Sequence, residues 1–185
     1  MREIYLIRHA TPSVQPNVPS QEWALSPRGA DEARTLATHA RDWGLKAIYT
    51  SAEPKARSTA LLLGDELLLP VHVVDGLEEL RFDHWIANSD EFAEAVRSIL
   101  EQPSLSFRGA ETADAAAARF EAALDLITAA GTPAAVVTHG RVLSAWLARA
   151  SSPEEAFAIW RAMPMPGWAR IDLDALAAEE VSFQP

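Results

Sequence analysis

The sequence contains no cysteine, which excludes disulfides, thiol nucleophiles, iron–sulfur clusters and thiolate zinc sites. It is also poor in positive charge, with 16 Lys and Arg against 26 Asp and Glu and a net charge of −10. A surface that binds nucleic acid or an anionic membrane needs clustered positive charge, so we expect neither partner. No apolar run reaches the length of a membrane span or of a signal-peptide core, and we therefore expect a cytoplasmic protein.

The length and composition are those of one globular domain. The chain has 185 residues, of which 49% are hydrophobic and 23% are charged. A length near that of an average domain, with enough apolar residues for a large core, predicts a single domain over residues 1–185. The oligomeric state is left open between a monomer and a homodimer.

Short apolar runs alternate along the chain with stretches of helical period. The runs predict strands over residues 4–7, 47–49, 71–74, 134–137 and 168–173. The periodic stretches predict helices over residues 27–43, 54–67, 92–100, 112–130, 142–150 and 153–162. Between them we expect loops at 11–20, 77–89 and 103–110, and a loosely structured tail. Strands that alternate with helices predict an α/β domain with a mainly parallel sheet.

Two of the predicted strands end in a histidine. His9 follows the first strand and His139 follows the fourth. Because ligands of parallel sheets bind beyond the carboxyl ends of the strands, both imidazoles should face one crevice. The other three histidines, at positions 39, 72 and 84, receive an ordinary structural or surface interpretation.

Five segments, in order along residues 4 to about 147, carry a family resemblance. They are Arg8-His9-Ala10 after the first strand, Leu25-Ser26-Pro27-Arg28-Gly29 at the first helix, Tyr49-Thr50-Ser51-Ala52 leading to Arg57 and Thr59-Ala60, Leu77-Glu78-Glu79 before Trp85, and Thr138-His139-Gly140. Together they resemble the histidine phosphatase superfamily, also called the phosphoglycerate mutase-like family. The resemblance implies a three-layer α/β/α fold.

The resemblance also assigns roles to individual residues. It implies that His9 is the nucleophile that becomes a phosphohistidine, and that phosphate is bound by Arg8, Arg57, His139 and Gly140. Arginine suits this role because it donates in pairs to phosphate oxygens and stays charged. An acid must protonate the leaving alkoxide, and the spacing to Trp85 favours Glu79, with Glu78 as the alternative. Ala10 stands where the family usually has glycine, and the roles of Thr11 and Asn17 stay open.

The function that follows is a metal-independent phosphatase that hydrolyses small phosphate monoesters and uses no cofactor. Residues 80–110 are expected to cover the pocket, with Phe82, Trp85 and Phe92 available to the leaving group. Two alternatives are phosphoryl transfer of the mutase type and a weakly active relative that binds phosphorylated ligands. A third is a metallohydrolase that uses the nitrogen and oxygen ligands of His9, His139, His84, Asp83 and Glu79. The physiological substrate is not evident from the sequence.

Overall fold

The computed structural model describes residues 2–83, 85–107, 110–175 and 181–185. Within these ranges, five strands form one mixed sheet that six α-helices flank. The strands are β1 (Glu3–Arg8), β2 (Ala47–Thr50), β3 (Val71–Val73), β4 (Ala134–Thr138) and β5 (Gly167–Asp172). The helices are α1 (Pro27–Ala40), α2 (Pro54–Leu67), α3 (Ser89–Glu101), α4 (Ala113–Ala130), α5 (Gly140–Leu147) and α6 (Pro153–Ala162).

The sheet has the strand order β3-β2-β4-β1-β5, and only β5 runs antiparallel to its neighbour. This confirms the predicted, mainly parallel sheet. β1 and β4 are adjacent at its centre, and Arg8 at the end of β1 pairs with Thr138 at the end of β4. On the other side of β4, Thr50 of β2 pairs with Val137. Three strands therefore end at the same level, which brings the residues after them together.

Apolar side chains of β1 alternate between two cores, one on each face of the sheet. Ile4 and Leu6 belong to a core with α3, α4, α5 and α6, whereas Tyr5 and Ile7 belong to a core with α1 and α2. Successive side chains of a strand point to opposite faces, so an unbroken apolar run is buried on both. The fold is thus the expected three-layer α/β/α arrangement.

Most helix boundaries follow from local signals. Ser26, Thr112 and Ser152 cap the N-termini of α1, α4 and α6 with their side-chain oxygens. Asn88 caps α3 in the same way, so that helix starts at Ser89, before the first apolar position of its periodic pattern.

Two predicted helix ends are wrong. Helix α5 covers Gly140–Leu147 and so ends three residues before the predicted position 150. Helix α1 ends at Ala40, not at Trp43, whose ring stacks on Tyr5 at 4.3 Å between centroids. The end of the tail is not loose either, since Gln184 pairs with Trp168 of β5 and Phe183 is buried. Residues 176–180 lie outside the described ranges. No helix within those ranges combines the length and apolarity that a membrane crossing requires.

Candidate active site

The two strand-end histidines lie side by side. Because Arg8 and Thr138 pair in the sheet, the next residues, His9 and His139, leave it at the same level. The backbone N–H of His9 donates to the carbonyl of Thr138 at 2.9 Å. The two imidazole rings meet edge to face with their centroids 5.1 Å apart, and both are buried.

The ring of His9 is held neutral and in one tautomer. Its Nδ1 lies 2.8 Å from the carbonyl oxygen of Ala10. A carbonyl can only accept, so Nδ1 carries the proton and Nε2 keeps a free lone pair. Burial, assisted by the charges of Lys55, Arg8 and Arg141, lowers the pKa of His9 to about 3. His9 is therefore a neutral imidazole with an available nucleophilic nitrogen at neutral pH.

His139 has one engaged ring nitrogen and one unpartnered one. Its Nε2 lies 3.0 Å from the hydroxyl of Ser51, the residue that follows β2. Its Nδ1 is buried without a hydrogen-bond partner among the described residues and lies 3.8 Å from Glu53 Oε2. Burial and the neighbouring His9 hold the pKa of His139 well below its usual value. A buried polar nitrogen without a partner is costly, and such atoms concentrate at functional sites.

Arg8 presents a second unpartnered buried nitrogen. Its Nη1 donates to the carbonyl of Met163 at 2.7 Å, whereas its Nε is buried and has no partner in the part of the chain that the structure describes. A Cβ atom on Gly140 would lie 3.2 Å from that Nε. Glycine at this position therefore lets the guanidinium approach the N-terminus of α5, where backbone dipoles also favour an anion.

Of the two basic residues on α2, Lys55 is buried within the site, whereas Arg57, the expected phosphate-binding residue, is exposed. Arg57 is exposed on α2, and the structure does not bring it to the histidines. Because an α-helix turns about 100° per residue, position 57 lies about 200° around the helix from position 55. Lys55 faces inward, with its side chain 5% exposed, and its charge acts on both His9 and His139.

Glu79 lies at this site, whereas Glu78 does not. Glu79 Oε1 accepts the backbone N–H of Val142 at 2.9 Å, and Oε2 accepts that of Arg141 at 3.3 Å. The carboxylate thus lies at the N-terminus of α5, directly after His139. Glu78 turns away, accepts the N–H of Gly76 and lies 3.6 Å from Arg119. Of the two candidate acids, the structure places only Glu79 beside the histidines.

Sequence reasoning missed three site residues, Lys55, Glu53 and Arg141, and gave Thr59 no individual role. Thr59 accepts the N–H of Ala10 at 3.1 Å and donates to the carbonyl of Lys55, which ties α2 to the residue after His9. Ala10 is fully buried and has no positive φ, so alanine fits where the family usually has glycine. One signal was available: Lys55 and Thr59 are four residues apart, the spacing of one helix face.

A groove of about 400 Å³ is lined by residues that contact Lys55 and Arg141. Its described lining is Pro16, Asn17, Val18, Pro19, Ser20, Gln21, Phe82, Asp83 and Trp85. The carbonyl of Ser20 accepts from Lys55 Nζ at 2.6 Å, and the ring of Phe82 lies 4.4 Å from the Arg141 guanidinium. The groove therefore borders the cations of the site.

The segment 80–110 contributes unevenly to this groove. Phe82, Asp83 and Trp85 line it, whereas Phe92 packs on Phe82 and Trp160. His84 and residues 108–109 of the segment lie outside the described residues. A larger cavity of about 500 Å³ lies elsewhere, between α1 and the turn at Met165, and neither His9 nor His139 lines it.

The metallohydrolase ligand set can be compared with the structure only in part. Within the described residues, no group of three or more His, Asp or Glu side chains is placed to hold a metal ion. His84, which belongs to the proposed ligand set, is outside those residues.

Comparison with protein families identifies the fold. The model of the histidine phosphatase superfamily (branch 1) matches residues 4–178, which is nearly the whole chain. The chain belongs to this superfamily. No curated protein matches the sequence.

Solved structures of phosphatases of the superfamily share the fold. A mycobacterial glucosyl-3-phosphoglycerate phosphatase is 21% identical, with a TM-score of 0.75 over 91% of this chain and 89% of that one. The α-ribazole phosphatase from Shigella flexneri is 22% identical, with a TM-score of 0.68 over 98% and 94%. A phosphoserine phosphatase mutant from Entamoeba histolytica is 18% identical, with a TM-score of 0.71 over 99% and 95%. Superfamily membership and these phosphatase neighbours support an enzyme of the phosphatase class.

Proposed function

We propose that the protein is a metal-independent phosphatase that hydrolyses phosphate monoesters through a phosphohistidine on His9. The observation that carries the proposal is the free Nε2 of neutral His9 in the same cluster as two unpartnered buried nitrogens, Arg8 Nε and His139 Nδ1. Phosphoryl oxygens would supply the missing partners of both nitrogens. Superfamily membership supports the same chemistry.

The first step transfers the phosphoryl group to the enzyme. The lone pair of His9 Nε2 attacks phosphorus, and the bond between phosphorus and the ester oxygen breaks. Arg8, Lys55, His139 and the N-terminus of α5 at Gly140 hold the phosphoryl oxygens and offset their charge. Glu79, which the structure places at that N-terminus, gives its proton to the leaving oxygen.

The second step hydrolyses the phosphoenzyme. Glu79, now ionised, accepts a proton from water while the water oxygen attacks phosphorus. The bond between phosphorus and His9 Nε2 breaks, and inorganic phosphate leaves. Division of one displacement into two gives each step a good nucleophile and an assisted leaving group.

The groove beside the site favours an organic leaving group without negative charge. Phe82 and Trp85 offer aromatic faces, and Asp83 adds a carboxylate. None of the described lining residues is Lys or Arg. Among the described lining residues an anionic leaving group would meet the carboxylate of Asp83 and no positive side chain, so neutral or cationic alcohols fit best. We propose that Phe82, Asp83 and Trp85 cover this part of the substrate.

A direct test uses a generic aryl phosphate. We expect turnover by the unchanged protein, resistance of that turnover to a metal chelator, and its loss in His9→Ala. The matched control is His39→Ala, because His39 is an exposed histidine on α1, 30 positions after His9 in the sequence. Full activity in His9→Ala, or abolition by the chelator, would overturn the proposal.

A further inference from the structure

A second buried carboxylate lies among the cations of the site. Glu53 directly precedes α2, and its side chain is 6% exposed. Its Oε2 lies 2.5 Å from Lys55 Nζ and 3.8 Å from His139 Nδ1. Its Oε1 accepts the backbone N–H of Glu79 at 2.8 Å. Glu53 therefore contacts the lysine, the second histidine and the backbone of the acid, although the two-step chemistry uses no group of Glu53.

The ion pair with Glu53 reduces the electrostatic attraction between Lys55 and phosphate. A phosphate dianion is attracted by Lys55, but the carboxylate of Glu53 lies on the same ammonium group and repels the dianion. The pair is nearly excluded from water, so solvent screens neither effect strongly. Lys55 in this ion pair thus contributes less net attraction than an unpaired lysine would.

Resting on the proposed phosphatase function, we propose that Glu53 is a positioning residue that holds Lys55 in an ion pair and thereby weakens the binding of the phosphate product. Weaker binding of inorganic phosphate favours its release after hydrolysis. The contact with Glu79 gives Glu53 a second, structural role, and the two roles are separable. A glutamine at position 53 keeps a carbonyl oxygen for the Glu79 N–H but removes the negative charge.

The first measurement is the affinity for inorganic phosphate in Glu53→Gln, by calorimetry and by inhibition of aryl phosphate turnover. We expect the dissociation constant to fall about tenfold, because a unit negative charge within a few ångströms of the dianion is removed. A purely structural role predicts weaker binding instead. Glu78→Gln is the matched control, since that carboxylate contacts Gly76 and Arg119 away from the histidines, and its phosphate affinity should stay unchanged.

The second measurement repeats the substitution in a Lys55→Met background. Burial raises the pKa of Glu53, and Lys55 is the first group that opposes this shift. Loss of Lys55 raises the pKa of Glu53 further, so the carboxyl carries less negative charge and Glu53→Gln should tighten phosphate binding less than it does in the parent. Equal tightening in both backgrounds, or no tightening in the parent, overturns the proposal.

A third readout needs no change at Glu53 and stays valid if that variant folds poorly. The nitrogen-15 NMR signal of Lys55 Nζ should shift as phosphate is titrated into the unchanged protein, because the ammonium group gains a phosphate partner. An unmoved signal at saturating phosphate overturns the proposal. Failure of the proposed function is distinguishable, since it shows as retained turnover in His9→Ala, whereas phosphate affinity is measured independently of turnover.

Discussion

The Nδ1 atom of His9 lies 2.8 Å from the carbonyl oxygen of Ala10, so the proton of the ring is on the side away from the reacting nitrogen. Burial reinforces this state, because a charged imidazolium would lose its hydration among Lys55, Arg8 and Arg141. The fold thus holds His9 in the state that the proposed nucleophile requires before any substrate binds, and this state costs stability in acid.

That cost gives a pH-dependent prediction. The pKa of His9 is about 3 in the folded protein and about 6.5 in the unfolded chain, so between these values only the unfolded chain binds the proton. Stability contributed by neutral His9 is therefore lost as pH falls from about 6.5 towards about 3. In urea unfolding at several pH values, the free energy of unfolding should fall more steeply in the unchanged protein than in His9→Asn, by up to about 1.4 kcal/mol per pH unit. Parallel curves would show that His9 is not held neutral.

Glu79→Gln should slow hydrolysis according to the leaving group. Glutamine keeps an oxygen for the N–H groups of Arg141 and Val142 but has no proton to give. We expect a loss of about 10²- to 10⁴-fold for alkyl esters and a much smaller loss for nitrophenyl esters, because the nitrophenolate that leaves is stable without a proton. Steady-state rates over a series of leaving groups test this. Equal slowing across the series would remove Glu79 from the role of acid.

Lys55→Met should weaken phosphate and vanadate inhibition by about tenfold or more, because it removes a buried cation from the cluster. Arg57→Met is the matched comparison two residues away, on the exposed side of α2, and should leave both inhibition constants unchanged. Inhibition of aryl phosphate turnover measures both variants. The reverse ranking would restore Arg57 as the second phosphate-binding cation.

Gly29→Ala should destabilise the fold near the site. A Cβ atom on Gly29 would lie 2.1 Å from the carbonyl oxygen of Thr11, which also accepts the backbone N–H and the hydroxyl of Ser26. Because α1 and the loop after Ala10 must then separate, we expect a loss of roughly 2 to 4 kcal/mol in the free energy of unfolding. Thr38→Ala, on the exposed face of α1, should change it by less than about 0.5 kcal/mol. A loss in Gly29→Ala as small as that of the control would refute this close contact.

The fold was predictable because its signals are local. Unbroken apolar runs mark the central strands, and the side chains of Ser26, Thr112 and Ser152 mark helix starts. Trp43 continues the helical period of α1 in the sequence, yet it packs with Tyr5 and Trp168 beyond the helix end. That boundary depends on a tertiary contact, which a periodic pattern does not contain.

The site residues that lie at the ends of strands were predictable from the sequence. His9 and His139 follow paired positions of adjacent strands, and Arg8 precedes one of them. Residue type favours Arg57 over Lys55, because arginine is the commoner phosphate ligand, whereas the helical phase of α2 favours Lys55. Glu53 has no local signal at all, since its burial arises where Lys55, His139 and the backbone of Glu79 meet.

The central claim is that His9 is transiently bonded to phosphorus, and rapid quench during turnover tests it most directly. An aryl phosphate is mixed with the enzyme, the reaction is stopped with alkali at early times, and the phosphorylated residue is located by mass spectrometry. We predict an alkali-stable, acid-labile phosphoryl group on His9 that forms and decays at rates consistent with turnover. Turnover without any such adduct, or with a phosphoryl group on another residue, would contradict the account.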